Sequence, residues 1–124
     1  MNSPLVFGDI FILNEQEFIF LGKTSDILYV ARILDLETSK EVERTFLKKI
    51  VRNKRTDGTL FCFTKLETNN LKGRVASLTQ PIMSAGIQYK KTNLRISEKD
   101  KNNLADEIFN SRGVPLGLKE LFSS

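Results

Sequence analysis

From Gly8 to Asp35 the apolar residues come in short extended runs rather than at helical spacing. "DIFIL" and "EFIFLGK" are rich in β-branched and aromatic residues, and the polar "NEQ" between them predicts a hairpin. "TSD" predicts a second turn into "ILYVARILD". The unbroken apolarity of Ile27–Leu34 predicts a strand buried on both faces or curled inside a barrel. Gly8 and Gly22 fall where a strand starts or bends, positions at which a missing side chain permits close approach.

Residues 36–56 satisfy two patterns. Phe46, Leu47, Ile50 and Val51 follow helical spacing, whereas Val42, Thr45 and Val51 suit strands; a strand over "EVERTF", then a basic loop or short helix, is the preferred reading. "TDG" predicts a turn and "TLFCFTKL" the next strand. Thr68 or Asn69 then caps a short helix with Leu71, Val75 and Leu78 on one face, stopped by Pro81. "IMSAGIQYKKTNLRI" predicts one more strand. Ser97-Glu98-Lys99-Asp100 is a capping-box-like start for a helix over residues 98–110, placing Leu104, Ala105, Ile108 and Phe109 on one side. Gly113 and Pro115 end it, and "LKELF" adds a last helical turn.

With residues 8–66 mainly strand, the chain reads as mainly β (α+β). Four or five strands joined by short turns suit a small closed barrel, which removes aggregation-prone edges. A β-sandwich needs more strands. The 124 residues, 40% hydrophobic and 27% charged, fit one globular domain: a barrel over about 5–95, then a helix and tail over about 96–124. No apolar run approaches the roughly 18 residues of a membrane span. The opening "MNSPLVFGDIFIL" lacks a basic n-region and a small-residue cleavage site. The single Cys62, between Phe61 and Phe63, reads as a buried strand thiol. Together these predict a cytoplasmic protein without a membrane partner.

Candidate chemistry narrows once histidine is found to be absent. Histidine bases, triads and His-containing zinc sites are excluded, and one cysteine rules out thiolate clusters. No metal site or cofactor is expected. Charge is unevenly spread: residues 1–45 carry four basic and eight acidic groups, residues 46–95 eleven and two, and residues 96–124 four and five. A net +9 over fifty residues predicts an anionic partner, nucleic acid first; a solvated surface is the plainer alternative. Within "FLKKIVRNKR", Lys48, Lys49, Arg52, Lys54 and Arg55 can neutralise successive phosphates, and Asn53 can reach base edges. Lys65, Lys72 and Arg74 surround one chain corner, expected to join that cluster on one positive face with a helix N-terminus at Asn69–Asn70. Tyr89 can stack an unpaired base while Lys90 and Lys91 track its backbone; a half-buried strand aromatic is the ordinary alternative. Asp9 is a candidate base, though an exposed, unperturbed carboxylate is the default. Arg32 and Arg74 can stabilise phosphoryl charge, but Arg32 more readily pairs with Asp35 or another carboxylate.

The opening "FGDIFIL" and the segment "CFTKLETNNLKGRVASL" resemble the first strand and the last strand-plus-helix of MazF/PemK-type toxins, over about Phe7–Leu78. The resemblance implies a small SH3-like barrel, usually a homodimer. It also implies cleavage of single-stranded RNA by active members and an antitoxin peptide as partner. The family's Arg-Pro pair opening the second strand is Glu17-Phe18 here, and its hydroxyl residue ending the third strand is replaced by Leu34-Asp35. No catalytic residue carries over. The expected function is therefore a noncatalytic or degenerate module of this type, binding RNA or single-stranded nucleic acid through its basic middle. The alternative is a protein-interaction module using the acidic N-terminal third or the C-terminal helix. A third reading keeps endoribonuclease chemistry with relocated residues.

Overall fold

The structure is a computed structural model that describes residues 4–35, 37, 38, 40, 41, 44, 63–79, 81–110, 114 and 116–122. Strands β1 (Asp9–Leu13), β2 (Gln16–Lys23) and β3 (Ile27–Leu34) form the predicted antiparallel meander. Asn14 and Glu15 both take positive φ, 52° and 66°, giving the two-residue hairpin loop whose twist matches the strands it joins. Thr24 N–H to Ile27 O, 2.9 Å, closes the second turn.

Downstream come β4 (Phe63–Lys65), β5 (Val75–Leu78), β6 (Ile82–Met83) and β7 (Lys90–Arg95), then helices α1 (Glu98–Asn110) and α2 (Leu116–Phe122). The sheet order is β4-β5-β3-β2-β1-β7, and β6 also pairs with β3. Every pairing is antiparallel. β5 and β6 run successively along β3, and Pro81, which has no N–H to give the ladder, stands just before β6. Among the described residues no pairing joins β4 to β7, so strand hydrogen bonds do not close the expected barrel.

The sheet is instead covered on both faces. Tyr29, Ala31 and Ile33 of β3 belong to a core with Ile10, Ile19 and Leu21, sealed by Leu104 and Ile108 of α1 and Leu118 of α2. Leu28 and Val30 belong to a second cluster with Phe11, Leu13, Phe18 and Phe20, against which Leu5, Ile82, Ile87 and Tyr89 pack. This explains the unbroken apolar run of β3, in which Arg32 is the exposed exception. Gly22 marks the bulge between β2 and β3; a Cβ there would lie 2.7 Å from Leu121 Cδ1, so the missing side chain lets α2 dock. Gly8 has φ 98° beside Lys101, again at a close approach.

Two expected elements and one expected core residue differ. The helix over Leu71, Val75 and Leu78 is a turn followed by strand β5. Asn70 and Gly73 take φ 74° and 87°, and paired bonds between Leu66 and Arg74 or Gly73 tie the segment into a β4–β5 hairpin. All three apolar residues are still buried, because a turn residue and strand residues can satisfy helical spacing by coincidence. Within "EVERTF", Glu41 and Arg44 are helical, as are Glu37, Thr38 and Lys40 before them. Asp35 Oδ1 accepts the Thr38 N–H at 2.7 Å, the N-cap geometry that starts a helix there. On α1, Leu104 and Ile108 are fully buried, worth about 1.5–3 kcal/mol each, but Phe109 is 56% exposed. Phe46, Leu47, Ile50, Val51, the "TDG" turn and Cys62 lie outside the described residues.

Candidate nucleic-acid interface

The basic cluster Lys48, Lys49, Arg52, Asn53, Lys54 and Arg55 lies outside the described residues. The corner formed by Lys65, Lys72 and Arg74 is described, and it is less positive than its sequence suggests. Lys65 lines a cleft with Glu67, Asp106 and Glu107. The Arg74 guanidinium pairs with Glu17 at 3.1 Å, while its buried Nε has no hydrogen-bond partner. Lys65 and Lys72 are both exposed without an ion pair among the described residues.

No helix begins at Asn69–Asn70. The backbone donors just before that point are engaged by a carboxylate of the chain itself. Asp100 on α1, fully buried, accepts the N–H groups of Glu67 and Thr68 at 2.8–3.0 Å and the Thr68 hydroxyl. Thr68 Oγ1 in turn accepts the Ser97 N–H at 2.8 Å, and Ser97 Oγ accepts the Asp100 N–H at 3.2 Å. Half of the expected capping box therefore forms. Its acidic member turns away to hold the β4–β5 turn, so that corner is a structural joint.

Arg32 does not pair with Asp35. It is exposed at the end of β3 and makes no ion pair among the described residues. Asp35 caps the following helix instead, and the Thr38 backbone N–H, then the Thr38 side chain, hold its carboxyl below the usual value. Arg32 and Arg74 share a cleft of about 210 Å³ with Glu15, Glu17 and Asp35. Three carboxylates beside two guanidiniums make a poor anion well. Asp9 is neither exposed nor free for proton transfer. It is 3% exposed, accepts the Val6 N–H at 2.9 Å and pairs with Arg95 at 2.9 Å and Lys91 at 3.7 Å.

The remaining predicted group stands at the other end of the strand order from β4, although the chain just after each of these two strands meets where Thr68 Oγ1 accepts the Ser97 N–H at 2.8 Å. Tyr89 is half-buried, its ring edge-to-face on Phe11 at 5.6 Å, and it leads directly into β7, an outer strand that pairs only with β1 among the described residues. Lys90 is exposed with no ion pair among those residues, while Lys91 and Arg95 are tied to Asp9. Beside Tyr89 opens a cavity of about 210 Å³ that Phe20, Leu28 and Ile87 help to line, with Lys23 and Ser84. Lys23 and Ser84 were not singled out by the sequence. Lys23 ends a strand and Ser84 follows one, and nothing in either local pattern joins them to Tyr89.

Among the described residues no three acidic or cysteine side chains converge as a metal site, and no helix is long and apolar enough to cross a membrane. No protein-family model, curated protein or solved structure matches this chain.

Proposed function

We propose that the protein is a noncatalytic, MazF/PemK-like module of SH3-like fold that binds RNA or another single strand through the cationic middle of its chain. The observation that carries this reading is the placement of Tyr89 at the head of an outer strand on which Lys90 has no ion pair among the described residues and Lys91 and Arg95 share the single carboxylate of Asp9, leaving the strand net positive. An aromatic face beside positive charge matches what a single strand presents, flat bases on an anionic backbone. The segment holding them carries net +9.

The barrel part of the reading is supported by strand order. The β1–β3 meander is flanked by β7 on one side and β5 on the other, and residues 84–89 carry the chain between β6 and β7. Gly8-Asp9-Ile10, which carries part of the resemblance, opens β1. A homodimer and a peptide antagonist are further implications of that resemblance alone.

Fluorescence anisotropy with labelled single-stranded RNA at several salt concentrations tests the reading. Binding is expected at low salt, with log K falling by about 0.7 per contacted phosphate for each decade of salt. Absence of binding at low salt transfers the weight to a protein-interaction module. That second reading has its own support: Phe109 is 56% and Leu116 72% exposed on neighbouring helices.

A further inference from the structure

We infer that the cavity beside Tyr89 receives one unstacked nucleobase of the bound strand, an assignment that rests on the nucleic-acid reading above. Its sheet side is supplied by buried Phe20 and Leu28, and half-buried Ile87 and Tyr89 line it from the chain entering β7. Apolar walls with a few polar groups form the usual small-ligand site. Here the polar groups are Ser84, Tyr89 and Lys23. Neither the Ser84 nor the Tyr89 hydroxyl has a hydrogen-bond partner among the described residues, and Lys23 has no ion pair among them.

Lys23 is exposed and Ser84 and Tyr89 are half-buried, so water meets these groups in the free protein, and an occupant that displaces that water without replacing its hydrogen bonds loses affinity. A planar heterocycle on an anionic backbone satisfies all three: a flat face for the walls, edge atoms for the hydroxyls and a phosphate for Lys23. The wall is also held in place before any ligand arrives. The Tyr89 ring is fixed on Phe11 at 71°, Ser84 N–H is bonded to Asp26 O at 2.9 Å, and Ile87 N–H to Ser84 O at 3.4 Å. Ordering lost on binding is thereby small. The volume of about 210 Å³ suits one base rather than a stack.

The test compares two labelled strands on the full chain. One is a mixed-sequence RNA of about ten nucleotides, within the usual site size of such binders. The other is a base-free ribose-phosphate strand of equal length and charge. The RNA is expected to bind about tenfold more tightly, since one base–aromatic contact contributes roughly that factor. Tyr89→Leu should remove most of this preference, and Tyr89→Phe, which keeps the ring but not the hydroxyl, should remove a smaller part of it. Should Tyr89→Leu fail to fold, amide NMR of the unaltered chain decides. Adenosine or uridine 5′-monophosphate should shift Ser84, Ile87 and Tyr89, and ribose 5-phosphate should not. Equal affinity for both strands, or no shift at these amides, overturns the base site while leaving nucleic-acid binding standing. Failure of both strands to bind removes both proposals.

Discussion

Charge sign predicts little until the partner of each charge is known. Asp35 resembles a free carboxylate in sequence, yet it is committed to the Thr38 N–H. Because that bond favours the ionised form, its folded pKa lies below the ordinary 3.8. The stabilisation is thus fully present above about pH 4, the unfolded value, and is lost as pH falls through the lower folded value. A carboxyl-detected NMR titration should place the Asp35 midpoint below 3.8, and Asp35→Ala should flatten the acid limb of the stability profile. A midpoint at or above the model-peptide value contradicts the cap. Glu17 shows the same dependence on partners. It stands where the resembled toxins have arginine, and it binds Arg74, one of the two guanidiniums available for phosphoryl chemistry. The other, Arg32, shares its cleft with three carboxylates. No ribonuclease activity is therefore expected. Discrete fragments from single-stranded RNA, lost in Arg32→Ala or Arg74→Ala, would reverse this.

At the level of elements, the contact of largest consequence joins parts distant in sequence. Asp100 of α1 binds the backbone of Glu67 and Thr68 across 32 and 33 residues, so helix and hairpin support each other. Asp100→Ala strands two N–H donors and removes charge-assisted bonds, a loss of about 3 kcal/mol. Asp100→Asn should cost less, because the amide keeps one accepting oxygen. Urea unfolding of both variants checks the order, and a loss within error for Asp100→Ala would mean water replaces the carboxylate. Such joints explain which elements were legible. The meander was readable because Asn14, the "TSD" turn and the runs of β1–β3 act locally. Helix α1 was readable because Ser97 caps it and Leu104 and Ile108 recur four apart. The β4–β5 hairpin was not, since Leu71, Val75 and Leu78 mimic helical spacing and its turn is held from α1. The cavity beside Tyr89 was half legible. Tyr89 with Lys90 and Lys91 was visible as a motif, but Lys23 and Ser84 reach it only through the pairing of β2 and β6 with β3.

Across the whole molecule, the described cations of one sequence segment sit on different strands in different surroundings. Lys65 is in β4 and Lys72 in the turn after it, whereas Lys90 and Lys91 are in β7 at the other end of the strand order. Those surroundings make the binding site testable through its salt dependence rather than its affinity alone. Each cation that contacts a phosphate contributes about 0.7 to the slope of log K against log salt, whereas a cation already neutralised by the protein contributes little. Lys65 has no ion pair among the described residues but shares its cleft with Glu67, Asp106 and Glu107, whose field disfavours a phosphate there, so Lys65→Ala should change the slope less than Lys90→Ala. Lys90 has no ion pair among the described residues, and Lys90→Ala should reduce the slope by about 0.7. Joint replacement of Lys49, Arg52 and Arg55 by Ala should flatten it by roughly two units, if the strand runs from β7 onto that cluster. Anisotropy titrations at several salt concentrations separate these cases, with thermal unfolding of each variant confirming that it is folded. A slope reduced by Lys65→Ala but untouched by Lys90→Ala would move the interface to the β4 corner.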